Sequence, residues 1–247
     1  MLALYRTIAF GVFVVAWWAT SLMVGGNLFP TPLATAEAAA GLIASGELAK
    51  ATGQTLAVYL AGYAIAAMVA IPLGLLIGAA RQLERTLDPF VNAFAATPRV
   101  AFVPLIIAIL GLGFNAKVSI VFLGAVIPIL INTLAGVANA DGELIEMARS
   151  TGADRIQIFR KVVLPGATPF VVAGLRLGAA IGLINTVVAE LYTAVSGLGG
   201  LLAVYGNTFR MAPYFVVVLT LAAIGGILAH GLKTLETRSE RWRYDAR

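Results

Sequence analysis

Apolar residues fill long runs of this chain, and polar residues gather in the gaps between them. A helix needs about 20 mostly apolar residues, at about 1.5 Å rise each, to cross a hydrocarbon core. The runs predict six spans, at about 8–28, 55–80, 100–112, 118–138, 168–189 and 213–232. Residues 31–50 are alanine-rich and carry Glu37, Glu47 and Lys50, which suits a short surface helix. Asp88-Pro89 marks a helix start, since proline fits a first turn. Thr97-Pro98 then interrupts that segment before the third span. Pro72 and Pro128 fall inside spans, where neighbouring helices can satisfy the freed carbonyls. Residues 191–212 read as a glycine-rich connection, and 233–247 as a polar, basic tail. The first run has a rival reading as a signal peptide, with Arg6 before it and Ala34-Thr35-Ala36 after it. It is longer than the usual 7–15 residue apolar region of such a peptide.

Composition agrees with this pattern. The 247 residues are 60% hydrophobic and 12% charged, about half the charge of a soluble domain. The absence of cysteine excludes a disulfide framework and a thiolate metal site. One histidine, His230, makes no metal centre. The basic residues flank apolar runs and form no basic domain, which argues against nucleic-acid binding. Their placement orients the chain. With both termini cytoplasmic, Arg6, Arg81, Arg85, the arginines and lysine of the 139–166 loop, and the tail from Lys233 through Arg238, Arg241, Arg243 and Arg247 fall inside. Arg99 and Arg176 sit near that face. Of the 17 lysines and arginines only Lys50, Lys117 and Arg210 are placed outside. That bias follows the positive-inside rule.

The polar loop at 139–166 has internal order. Thr151 can cap a helix whose third residue is Asp154, a variant of the capping box. Gly152 lets the backbone turn. Ile156, Phe159 and Val163 recur at helical spacing as one apolar stripe, with Arg155, Gln157, Arg160 and Lys161 covering much of the rest. Pro165 is expected to stop this piece from running smoothly into the fifth span. On physical grounds alone, such a basic amphipathic segment fits a lipid-headgroup surface as well as a protein partner.

Glu146-Met147-Ala148, Gly152 and Val163-Leu164-Pro165 resemble the EAA loop of membrane-spanning subunits of bacterial ABC importers; Met147 stands where alanine is usual. Ile71-Pro72-Leu73-Gly74, the run from Arg81 to Pro89, Asn132-Thr133-Leu134-Ala135-Gly136, Gly174-Leu175-Arg176, and Val188-Ala189-Glu190 with Ser196-Gly197-Leu198-Gly199 are similar to the nitrate, sulfonate, taurine and bicarbonate branch. The resemblance implies an all-α permease of the type I importer kind, working as a pair in the bacterial inner membrane. It implies as partners two cytoplasmic ATPase subunits, which hold ATP and Mg, and an extracytoplasmic solute-binding protein. The chain itself has no phosphate loop of the G-x-x-x-x-G-K-[ST] form, and no cofactor is expected in it. The resemblance assigns coupling to Glu146, Ala148, Arg149, Gly152, Ala153, Arg155, Ile156, Phe159, Leu164 and Pro165. In it Glu146 fixes the two loop helices, Ala148 allows close packing, and Ile156 and Phe159 anchor the ATPase. Substrates in this branch include nitrate, sulfonates and taurine, and also pyrimidine and other vitamin-precursor compounds.

Polar residues inside apolar spans are candidates for the translocation pathway. Arg99, at the broken Thr97-Pro98 site, either attracts an anion or anchors at the interface. Glu190 either holds an outer gate through hydrogen bonds or faces headgroups. Asn132, Thr133, Asn185 and Thr186 either line the pathway or pair between helices. Arg176 either ties the fifth span to the loop or snorkels. Trp17, Trp18 and Tyr59 read as packing or belt residues. A secondary transporter would show buried carboxylates or inverted broken repeats, and a membrane enzyme a titratable cluster at one depth; neither pattern stands out.

Overall fold

The computed structural model describes residues 1–244, with only the backbone described at 2, 3 and 235–244. The tail arginines Arg238, Arg241, Arg243 and Arg247 therefore lie outside the described side chains. The described residues form helices and turns without a strand. In order they are α1 (Leu2–Val24), α2 (Pro32–Ala44), α3 (Glu47–Ala79), α4 (Arg81–Ala96), a 3-10 turn (Arg99–Phe102), α5 (Val103–Leu110), α6 (Phe114–Ala138), α7 (Gly142–Ser150), α8 (Arg155–Ile158), a π turn (Phe159–Val163), α9 (Leu164–Thr193), α10 (Gly197–Asn207) and α11 (Met211–Tyr244). Five helices are long and apolar enough to cross a membrane, and six spans result if α4 and the segment after it count as one broken span.

Two compact units are present. The first comprises 1–56 and 190–224. Here the turn after α1 folds back on that helix. Trp17 Nε1 donates to the Pro30 carbonyl (2.9 Å) and Ser21 Oγ to the Phe29 carbonyl (2.7 Å). Thr31 then caps α2, with Pro32 in its first turn. Trp17 and Phe29 both pack on Phe215 of α11. Trp18 is exposed, and Tyr59, which belongs to the second unit, is buried. Gly46, at φ 73°, ends the turn after α2, so Lys50 belongs to α3 rather than to the surface helix expected over 31–50.

The second unit, 57–189 with the chain from 225 onward, is organised on α6. Of the most apolar stretch of α6, 56% is buried, against 6% for α1. Small residues bring its neighbours close. A Cβ on Gly74 of α3 would lie 2.7 Å from the Thr133 side chain, and one on Gly178 of α9 would lie 2.6 Å from Ile129. Close backbone approach of this kind is how helices gain packing where lipid offers no hydrophobic contrast. Tyr63 adds a hydrogen bond from its hydroxyl to the Leu175 carbonyl (3.0 Å).

The structure corrects four expectations. The helix expected to start at Asp88 starts at Arg81, so Pro89 lies inside it. The sequence signal was a good first-turn residue used in an interior turn. After the break at Thr97-Pro98 the chain bends by 79°. The helical stretch that follows, Arg99–Leu110, is about 18 Å long at 1.5 Å per residue, too short to cross about 30 Å of hydrocarbon alone. The glycine-rich connection is largely helical, as α10, and α9 runs on to Thr193. Pro165 does not break the chain either, and helix continues from Arg155 to Thr193. The π turn absorbs the proline: the Leu164 N–H reaches back five residues to the Phe159 carbonyl, a register shift that loosens the turn into which the ring must fit.

Candidate functional site

The loop between α6 and α9 has both of its helices capped and its inner face packed. Asp141 caps α7, accepting from the Glu143 and Leu144 N–H groups. At the far end Gly152 sits at φ 84°. Its N–H donates to the Arg149 carbonyl and the Ala153 N–H to the Ala148 carbonyl, both at 3.0 Å. These two bonds make a Schellman cap, whose left-handed residue favours glycine. Asp154 then caps α8: its carboxylate accepts from the Gln157 N–H (2.7 Å), and the Gln157 side chain accepts from the Asp154 N–H (3.1 Å). The capping box expected at Thr151 is thus three residues later, and Thr151 instead closes α7 by donating to the Ala148 carbonyl (2.9 Å). Glu146 is exposed, and the ties between the two loop helices run through the backbone at Ala148 and Ala153 rather than through its carboxylate.

The inner face packs on the ends of α6 and α9. Val137, Ile158, Val163 and Ala167 form a buried cluster, with Ile145, Ala148, Ala153 and Phe159 against it. Ile158 and Val163 are five residues apart and share a face because the π turn widens the helix between them. This divides the stripe expected at 156, 159 and 163. Phe159 turns to the chain's own cluster, whereas Ile156 is 69% exposed. Leu144 and Met147 are also exposed, at 46% and 60%. Arg149, Arg155, Arg160 and Lys161 are exposed on the same loop, and Leu164 and Pro165 continue into α9.

Glu190 lies fully buried near the end of α9. Its carboxylate takes the Thr55 hydroxyl (2.9 and 3.0 Å to its two oxygens) and the Gly199 N–H (2.9 Å). Thr55 Oγ1 in turn accepts from the Leu198 N–H (2.8 Å), and Gln54 accepts from the Gly197 N–H (3.0 Å). Three opening N–H groups of α10 are thereby satisfied by side chains of α3 and α9, and a carboxylate sits at the positive end of the helix. Gly197, at φ 84°, has no room for a Cβ, which would collide with the Glu190 carboxylate. A headgroup-facing position for Glu190 is thus overturned by its burial. Tyr205, later in α10, donates to Glu47 (3.0 Å). Burial and then that bond push its phenol above the ordinary value.

The remaining candidates are scattered. Asn132, Thr133, Asn185 and Thr186 each donate to the carbonyl four residues back in their own helix, all at 2.8 Å. Such back-bonding satisfies a polar side chain inside an apolar span without a neighbouring helix. Thr133 and Thr186 are fully buried, Asn185 packs over Gly124, and Asn132 opens on a cavity, which Arg176 shares. Arg99 also has a task that was not expected. Pro128 has no N–H to give to the Gly124 carbonyl, and Arg99 Nη1 donates to that carbonyl (3.3 Å). The arginine replaces a bond that a proline removed. Lys117, expected in an outer loop, is buried in the first turn of α6. Among the described residues no cluster of His, Cys, Asp or Glu could hold a metal ion.

Residues 70–239 match the family described as binding-protein-dependent transport system inner membrane component. The chain belongs to this family. It is a multi-pass permease subunit of the ABC importer class rather than itself an enzyme. It is 36% identical over 233 residues to a protein of Escherichia coli K12 assigned to aliphatic sulfonates transport, SsuC (93% of this chain, 88% of that one). It is 35% identical over 232 residues to the riboflavin transport system permease protein RibX of Chloroflexus aurantiacus (93% and 87%). To the taurine transport system permease protein TauC of Escherichia coli K12 it is 32% identical over 177 residues (72% and 64%). Among solved structures, an inward-facing MetNI methionine ABC transporter superposes with TM-score 0.68 at 22% identity, over 78% of this chain and 95% of that one. That likeness is one of fold.

Two features of this permease were not expected from its sequence. Leu144 and Met147 join Ile156 on the outer side of the loop. Their spacing of three, out of phase with half-buried Ile145 and Ala148, carried the signal. The partner of Glu190 is Thr55, separated by 135 residues, and no local pattern announces a contact at that distance.

Proposed function

We propose that this chain is the membrane-spanning subunit of an ATP-driven importer of a small organic anion of the sulfonate kind. It works as a pair, over two ATPase subunits that grip the α7–α8 loop from the cytoplasm. A solute-binding protein delivers substrate at the opposite face. The observation that carries the reading is the loop's outer surface. Leu144, Met147 and Ile156 are apolar and exposed beyond the apolar spans, and basic side chains accompany them. Apolar anchors with a charged rim are the anatomy of a protein interface, and the capped, packed loop presents them without an ordering cost. Energy enters by this contact, because the chain has no phosphate loop of its own. The relatives that transport sulfonates and taurine favour the substrate class; the riboflavin relative makes a flavin or pyrimidine compound the second candidate.

The chain has no cysteine, so a single Ile156→Cys or Leu144→Cys gives a clean crosslinking probe. With the ATPase subunits co-expressed, a maleimide–benzophenone reagent, attached at the cysteine and inserted into a neighbouring C–H bond on illumination, is expected to join either position to the ATPase. Phe159→Cys, turned inward, is expected to crosslink at a far lower yield. Absence of any crosslink from Ile156 and Leu144, in membranes where both proteins are present, removes the loop from the mechanism.

A further inference from the structure

Helix α10 is held at both ends and strained at both ends. It has 11 residues, four of them glycine, and so short a glycine-rich helix is not stable alone. Its place is kept by α3 and α9. At its start, side chains of Gln54, Thr55 and Glu190 take the opening N–H groups. Near its end, buried Tyr205 donates to Glu47 (3.0 Å). Glu47 and Thr55 are roughly two turns apart in α3, so α10 runs along the opening of that helix, with Leu198 and Leu202 buried.

The non-glycine residues with positive φ among the described ones, Ala194 and Phe209, both flank α10. Ala194, at φ 49°, closes α9, its N–H donating to the Glu190 carbonyl (2.8 Å). Phe209, at φ 55°, closes α10 in a Schellman arrangement. Its N–H reaches the Gly206 carbonyl (3.2 Å), and the Arg210 N–H reaches the Tyr205 carbonyl (2.9 Å). Glycine is the usual residue at both positions, because a Cβ in this region is costly. For a side chain as large as phenylalanine the conformation is an outlier. Phe209 is 70% exposed, so packing within the chain does not repay that cost. Strain of this kind persists only where the surroundings impose it. The docked helix is thus opposed by its own connections.

We propose that α10 is a latch of the outer face that leaves α3 and returns once in each transport cycle. Glu190 with Thr55 and Tyr205 with Glu47 are its two catches, and the strained turns at Ala194 and Phe209 bias it toward release. The inference rests on the importer reading, under which α10 lies at the face opposite the α7–α8 loop. Glu190 belongs to the continuous helix that begins at Arg155 in that loop, so one catch is carried by the element that the ATPase grips.

The cysteine-free chain takes Leu202→Cys as a reporter on α10 and Val217→Cys as an equally buried reporter on α11. The complete transporter, with its ATPase and solute-binding protein, is reconstituted in proteoliposomes. It is labelled with a small maleimide at rest and after trapping with ATP and vanadate, and label is read on this chain alone. Trapping is expected to speed labelling of Leu202→Cys about tenfold or more and to leave Val217→Cys within about twofold. Adding Ala194→Asn or Phe209→Asn, which the left-handed region tolerates, is expected to slow labelling of Leu202→Cys at rest about fivefold. Adding Tyr205→Phe is expected to speed it by about the same factor. Although they steady the docked helix, the asparagine variants are expected to slow ATP turnover about threefold. Complex recovered in wild-type amount checks folding, and Leu198→Cys, equally buried, replaces Leu202→Cys if that variant assembles poorly. An α10 reporter as slow as Val217→Cys in both states overturns the latch. Unchanged ATP turnover in both asparagine variants does so too, and makes α10 a fixed strut. A chain that recovers no ATPase on co-expression overturns the importer reading and this inference together.

Discussion

Glu190 shows what one residue does in this permease. A carboxylate with no exposed surface is tolerated because Thr55 and the opening of α10 surround it with donors. Removing one partner of such a buried, hydrogen-bonded charge costs more than the pair contributes, because the other groups stay buried and unsatisfied. Glu190→Ala is therefore expected to destabilise the protein by about 3 kcal/mol, and Thr55→Val by about 1 kcal/mol. Denaturant unfolding in detergent measures both, and an unchanged midpoint for Glu190→Ala would show that the knot does not hold α10. Gly152 is the second residue of consequence. Its φ of 84° and the open space at its Cβ position separate backbone strain from crowding. Gly152→Asn, which tolerates the left-handed region, should keep most substrate-stimulated ATPase activity, whereas Gly152→Val should lose about 1–2 kcal/mol of loop stability and much of the coupling. Equal behaviour of the two variants would make the position a plain linker. Gly152 was legible as a turn because glycine has one obvious use between two helical pieces. The distant partners of Glu190 were not, because a buried carboxylate and an exposed one are written with the same letter.

At the scale of elements, the prolines misled most. A proline in the sequence announces a missing hydrogen bond, and the bland consequence is a break. Pro89 and Pro165 lie within continuous helix against expectation, as Pro128 does where a span was expected, and for the last two the structure shows what makes up for the lost bond. For Pro165 it is the π turn, and for Pro128 the Arg99 guanidinium. The second rescue can be tested by a double-mutant cycle. Arg99→Ala alone is expected to cost about 1–2 kcal/mol, since it leaves the Gly124 carbonyl without a donor. In a Pro128→Ala background the helix supplies its own N–H and the same change should cost markedly less. Additive effects in unfolding experiments would show that Arg99 does not serve that carbonyl. The long spans were legible because about 20 apolar residues have few other uses. Helix α10 was not, because its glycines read as flexibility when their use is close contact at Gly197–Gly200, all buried.

For the molecule as a whole, charge placement and the outer loop surface make one prediction about sidedness. Leu144→Cys is expected to react with a membrane-impermeant maleimide only after cells are opened. Thr208→Cys, just past α10, should react in intact cells with a permeable outer layer. The reverse pattern would invert the orientation and detach the loop from any cytoplasmic ATPase. The class of the protein was legible because the EAA-like loop, the apolar runs and the basic bias all constrain the same topology. Its cargo was not, since the polar residues inside the spans come from helices far apart in sequence and no local pattern among them names a ligand.

The unbroken helix from Arg155 to Thr193 has a mechanical meaning. Its 39 residues make a rod of about 58 Å at 1.5 Å per residue, with Ile156 at one end and Glu190 close to the other. A break at Pro165 would have put a soft joint between them and let a push dissipate. With the π turn in its place, the helix runs from the loop to its far end with no such joint, as a lever with no slack.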